Sequence, residues 1–146
     1  MSTAIEMENE IETDLTTEAE PQKRRFTVEE FQRMGEAGII APDERVELID
    51  GEVYEMTPVG PRHIWSVIYL NRYLVRLAGD DLYVSPQSGV TTGENKQPYP
   101  DFAVLRLPPG KLPGEVPQAE DCALLVEVAD SSAGFDRKKK SRMYAG

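Results

Sequence analysis

The run CALLVEVAD, Cys122 to Asp130, constrains the fold more than any other stretch, because it is the most apolar strand-like segment and yet carries an acid near its middle. A strand this apolar needs cover on at least one face, so the chain must build a sheet with a layer packed against it. Glu127 is the difficulty. An ionised carboxylate buried without a partner costs several kcal/mol, so the residue must be exposed, neutralised or bound to something. Strand alternation groups Leu124, Val126 and Val128 on one face and Leu125, Glu127 and Ala129 on the other, which turns Glu127 away from the most apolar face.

The segments before it supply the covering layer. In RRFTVEEFQRM, Thr27 and Glu30 have capping-box spacing, and Phe31 and Met34 give a short apolar stripe before Gly35 and Gly38 end the helix. RVELIDGEVYEM reads as a hairpin, since Asp50-Gly51 accepts the positive φ angles of a tight turn between two β-prone runs. HIWSVIYLNRYLVRLAG gives the longest helix, with Ile64, Ile68, Leu74, Val75 and Ala78 at helical spacing and Gly79 as its stop. Trp65, Tyr69 and Tyr73 follow the same period and are expected to pack in the core or against another helix. DLYVSPQSGV and PDFAVLRL read as strands, and FDRKKKSRMYAG as the start of a last helix. Helices bracketing strands predict an α/β or α+β layer, with a mixed sheet packed against the long helix.

Composition narrows the class. No apolar run approaches the roughly 18 to 20 residues needed to span a bilayer, and there is no basic-then-apolar leader, so a soluble, intracellular and cytoplasmic protein is expected. The single cysteine, Cys122, has no partner for a disulfide and is expected to pack as a small apolar residue. A net charge of −10 argues at first against nucleic acid. Seven of the acids fall in residues 1–20 with no base among them, leaving 19 acids against 16 bases in the remainder. Residues 1–22 thus read as an acidic disordered leader, and residues 23–146 as one domain close to neutral.

The candidate site comes from pairing two strands. In YPDFAVL, alternation groups Asp101 with Ala103 and Leu105; if this strand neighbours the Glu127 strand, two carboxylates converge on one edge of the sheet. Two such groups repel unless a cation lies between them. Mg²⁺ takes one or two carboxylates together with waters and phosphate oxygens, which is the donor set this pair offers. On a helix beginning near Phe135, Asp136, Lys140 and Tyr144 share a face, and Lys140 is the ammonium able to reach back toward the strand tip. The plain alternatives stay open: a solvated basic face for Arg137 to Lys140, a cap or turn acid for Asp101, an edge residue or ion-pair member for Glu127.

ELIDGE at residues 47–52, the Pro100-Asp101 dipeptide at a strand start, and LLVEVADSS followed by FDRKKKSRMYAG together resemble the Uma-two family of restriction endonucleases. That largely bacterial group belongs to the PD-(D/E)xK nuclease superfamily. The resemblance runs from about Arg25 to the end. It implies a restriction-endonuclease-like core, a mixed sheet flanked by helices, with Asp101 and Glu127 as ligands of Mg²⁺ or Mn²⁺ and hydrolysis of DNA phosphodiester bonds as the reaction. The superfamily motif has a lysine two residues after the second acid, where this chain has Ala129; the family's pattern has it in the following helix, and Lys140 matches. Glu47 matches the family's ELIDG and either faces the site or pairs with Arg45 or a helix. His63, the sole histidine, lies near the start of the long helix, either at a phosphate or as a plain surface residue. The family continues past Gly146 with a further strand, so the chain is expected to be a fragment or a truncated reading frame.

Three functions remain in view. The first is a metal-dependent endonuclease using Asp101, Glu127 and Lys140, with a homodimer as one way to cut both strands. The second is a nuclease-fold binding or interaction module without turnover. The third is a structural role, in which Glu127 and Lys140 form an internal ion pair.

Overall fold

The computed structural model of the chain describes residues 20–106 and 115–129. Residues 1–19 of the expected acidic leader lie outside the described residues, and the first element is α1, Val28–Glu36, where the expected capping box is formed in full. Glu30 N–H donates to Thr27 Oγ1 at 3.2 Å, and Thr27 N–H donates back to Glu30 Oε2 at 3.1 Å, so two donors of the first turn that no helical carbonyl reaches are satisfied. The helix runs through Gly35, and the chain then turns at Gly38 with φ +72°.

The hairpin forms as read. Strands β1, Val46–Ile49, and β2, Glu52–Glu55, pair antiparallel with Ile49 opposite Glu52. Asp50 at φ +49° and Gly51 at φ +76° make the two-residue turn between them. A Cβ on Gly51 would lie 2.6 Å from the Arg25 Cβ, because Phe26 N–H donates to the Gly51 carbonyl and draws the incoming chain over the turn.

Helix α2, Pro61–Ala78, follows, with Pro61 in its first turn and Gly79 at φ +60° as its end. It packs against β3, Tyr83–Pro86. Strands β3, β4 (Phe102–Leu105) and β5 (Cys122–Val126) form a second antiparallel sheet in the order β3-β4-β5. The fold is thus α+β, built among the described residues of two α-helices and two small antiparallel sheets, and is compatible with a restriction-endonuclease-like domain. The expected mixed sheet is, among the described residues, a pair of antiparallel ones; parallel pairing is confined to the single bridge between Thr91 and Gln118.

Among the described residues two apolar clusters hold these layers. Val28, Phe31 and Leu48 join α1 to β1, with Phe26, Ile40, Val46 and Tyr99 around them. Val90, Ala103 and Leu105 form the other, with Cys122 and Leu125 against them. Leu48 and Phe102 are fully buried, each contributing roughly 2 kcal/mol by removal from water. Leu48 also exchanges backbone hydrogen bonds with Gln97, which ties the hairpin to the loop leading into β4.

Strand β5 departs from its sequence reading in two ways. It ends at Val126, so Glu127 stands just beyond the strand instead of near its middle. Its inward face is also the other one: Leu125 packs on the Val90 cluster, whereas Leu124 is half exposed. Leu105 pairs with Cys122 but Val104 with Leu124, so Ala123 is an extra residue, a bulge that resets the alternation and lets Cys122 and Leu125 share a face. Cys122 packs as a small, partly buried apolar residue, as expected.

Candidate functional site

Asp101 is the centre of the site. It directly precedes β4, the most deeply buried strand, and is itself 8% exposed. Its carboxylate is held at both ends. Oδ1 lies 2.9 Å from His63 Nε2, and Oδ2 accepts the backbone N–H of Val128 at 2.7 Å. The second bond explains where β5 stops: past Val126 the chain's next inward N–H finds a carboxylate in place of a strand carbonyl.

Glu127 is drawn to the same place. Phe102 pairs with Val126, so one further step along this antiparallel register sets Asp101 across from Glu127. Asp101 lies two residues before Ala103 and Glu127 two residues after Leu125, and Ala103 and Leu125 are opposite each other, so the same alternation continued past the strand ends would set both acids on one face. Glu127 is exposed, which answers the question its position raised: it is not an acid inside a strand but one at the rim of a sheet.

His63 arrives from α2, on the first turn of that helix. It is 9% exposed and bonded to Asp101, which overturns the reading of it as a plain surface residue. The only sequence signal was its place near the start of a helix, and no spacing rule connects it with an acid 38 residues later. Glu47, on β1, is buried as well, and its Oε2 accepts the Tyr99 N–H at a long 3.4 Å. That hydrogen bond anchors the loop two residues before Asp101. Lys140, with Asp136 and Tyr144, lies outside the described residues.

Among the described residues no group of three or more His, Cys, Asp and Glu side chains comes together as a metal cage. The pair at the sheet end still offers hard oxygen donors. Each Asp101 oxygen keeps a lone pair beyond the hydrogen bond it accepts, and Glu127, one residue past the end of β5, carries a second carboxylate. A cation that keeps most of its waters needs no more than this from a protein.

Beside this end of β5 a shallow, open groove runs along α2, lined by Ser66, Tyr69, Leu70, Tyr73 and Val128. The expectation that the aromatic residues of α2 pack in the core fails. Trp65, Tyr69 and Tyr73 are 57%, 69% and 62% exposed, because α2 turns its His63 and Leu74 side inward.

An α+β domain that holds a buried acid against a buried histidine at the end of its three-stranded sheet is the class that fold and site define. The chain belongs to the Uma2 family, described as putative restriction endonuclease, whose family model matches residues 28–146. No curated protein matches the chain at a significant level. Among the described residues no helix is long and apolar enough to cross a membrane.

Proposed function

We propose that the chain is a metal-dependent endonuclease acting on DNA phosphodiester bonds, with Asp101 and Glu127 as the carboxylates that hold Mg²⁺ or Mn²⁺. The observation that carries this reading is the Asp101 carboxylate, fixed at both oxygens and set across an antiparallel pair from Glu127. Asp101 and Glu127 would hold the cation, which when bound would supply polarisation of a phosphoryl oxygen and a lowered pKa of a bound water.

The chain's own residues do the positioning. His63 N–H and Val128 N–H fix the plane of the Asp101 carboxylate, so its remaining lone pairs point in set directions before any ligand arrives. Glu127, at the exposed rim, is the carboxylate that solvent and substrate can reach. Lys140 is proposed to neutralise charge developing on the phosphate, in place of the lysine that Ala129 does not provide. The DNA substrate follows from the family description, and the arginines of α2 are consistent with it.

A second reading has its own observation. Both Asp101 oxygens already accept a protein donor, and Ala129 stands where the superfamily motif has an ammonium, which suits a binding module that keeps the fold without turnover. Nicking of supercoiled plasmid separates the two. Cleavage that needs Mg²⁺ or Mn²⁺, stops with EDTA and is abolished in Glu127→Ala is the expected result. Cleavage of undiminished rate by Glu127→Ala removes that residue from the site, and a melting temperature that ignores Mg²⁺ and Mn²⁺, with no nicking, favours the binding module.

A further inference from the structure

The outward side of α2 has a composition that the rest of the chain does not share. At about 100° per residue, Arg62, Trp65, Tyr69, Arg72, Tyr73 and Arg76 all fall within roughly 100° of arc. All six are exposed. The arc lies opposite the side that buries His63 and Leu74. The 18 residues of the helix contain three arginines and not one acid, in a chain whose net charge is −10. Ion pairs among the described residues engage Lys23, Arg24, Arg25, Arg33, His63 and Lys96, and none of these three arginines. Large aromatic faces left in water, interleaved with cations, are a costly surface for a protein to keep.

We infer that this stripe is a docking track for single-stranded nucleic acid, whose unpaired bases stack on Trp65, Tyr69 and Tyr73 while Arg62, Arg72 and Arg76 take the phosphates. The inference deepens the nuclease reading and rests on it for the identity of the polyanion. Three features favour this occupant. Stacking needs exposed base faces, which a duplex keeps buried in its own stack, and every base has one, so the track is indifferent to sequence. Trp65 and Tyr69 present ring faces on successive turns, 6.0 Å apart and tilted by 32°, so they offer separate platforms and not one closed sandwich. The groove formed by Tyr69 and Tyr73 reaches Val128, next to Glu127, so a strand lying on the helix is led to the rim carboxylate. A second copy of the chain suits the face poorly. A twofold interface would lay the arginine stripe on its own image, with no acid on the helix to pair with it.

Trp65 is the sole tryptophan and reports directly on the track. The full chain is titrated in EDTA, where no cleavage occurs, with an oligothymidylate of about 15 nucleotides, a blunt duplex of equal length and heparin. The single strand is expected to quench Trp65 fluorescence saturably and to bind at least tenfold more tightly than the duplex. Tyr73→Ala is expected to weaken that affinity about tenfold by anisotropy of a labelled strand, at unchanged melting temperature because the side chain is exposed. Arg72→Gln with Arg76→Gln is expected to reduce the slope of log affinity against log salt by about 0.7 for each phosphate that no longer meets an arginine. Equal or tighter binding of the duplex overturns the inference, as does heparin binding of equal affinity without quenching. So does protein self-association that shifts Trp65 emission before any oligonucleotide is added. Since no step of the assay requires turnover, loss of binding with intact metal-dependent nicking refutes the track alone, and binding without nicking refutes the nuclease reading alone.

Discussion

Removing the His63 and Asp101 side chains singly and together measures how firmly the candidate site is built before any ligand binds. The two groups meet at 2.9 Å with side chains 9% and 10% exposed, so water replaces little of what a truncation removes. In Asp101→Ala, the His63 N–H and the Val128 N–H both lose their acceptor. Each buried donor left without a partner costs about 1–3 kcal/mol, so the variant is expected to lose about 4 kcal/mol. His63→Ala orphans one carboxylate oxygen and leaves a hole beneath α2, for about 3 kcal/mol. The double variant does not count the shared hydrogen bond twice, and the coupling is expected at about 2 kcal/mol.

Urea unfolding in EDTA gives the four free energies. With a slope of about 1–3 kcal/mol/M, a loss of about 4 kcal/mol moves the midpoint by roughly 2 M. Where Asp101→Ala is too unstable to give a folded baseline, Asp101→Asn and His63→Gln supply a milder cycle with the same sign. Coupling below about 0.5 kcal/mol would refute the claim that His63 sets the orientation of Asp101, because pairs that share no interaction add within that margin.

Two further measurements probe the framework. Gly51→Ala is expected to cost about 1–2 kcal/mol from its left-handed backbone, and more from the 2.6 Å approach of the Arg25 Cβ; a variant as stable as the parent would show that the turn is not under this constraint. Burial, helped by the charges of Asp121 and Glu120, raises the pKa of the Cys122 thiol, so folding favours its neutral form. Its stabilisation is then complete below the ordinary thiol value of about 8.5 and is lost as pH rises through the folded-state value. Stability of the parent should fall relative to Cys122→Ala as pH rises from about 8.5 to the folded-state value, and parallel pH curves for the two proteins across that window would count against it.

What could be read from the sequence was local. The Thr27 and Glu30 box, the Asp50-Gly51 turn and the Gly79 stop each depend on residues within four positions of one another, and each formed where expected. Which residues share a face within each strand was also within reach, because period-two alternation groups Asp101 with Ala103 and Glu127 with Leu125, but that the two strands are neighbours entered only as a condition, which the β4–β5 pairing meets. Long-range facts were not. The bulge at Ala123 shifts which apolar residues of β5 face inward, and nothing in CALLV marks it. The exposure of Trp65, Tyr69 and Tyr73 reversed the usual weighting of aromatic residues at helical spacing, since periodicity tells which residues share a face but not what covers that face.

Helix α2 is where these two limits meet. One side of it carries His63 to Asp101, and the opposite side carries the arginines and aromatic rings, so a single rigid element of 18 residues links the buried end of the candidate site to the exposed track. Rigidity matters here because a helix transmits position: a strand held on Tyr69 and Tyr73 is fixed relative to Asp101 by backbone hydrogen bonds and not by loop conformation. The same link limits what substitutions can do. Changes on the outward side alter no buried packing and should act on binding alone, whereas changes at His63 act on the sheet end first and reach the track only by moving the helix as a whole. Sequence periodicity alone would have grouped the aromatic residues with the core, and the functional division of the helix becomes visible only once one knows which of its two sides is inward.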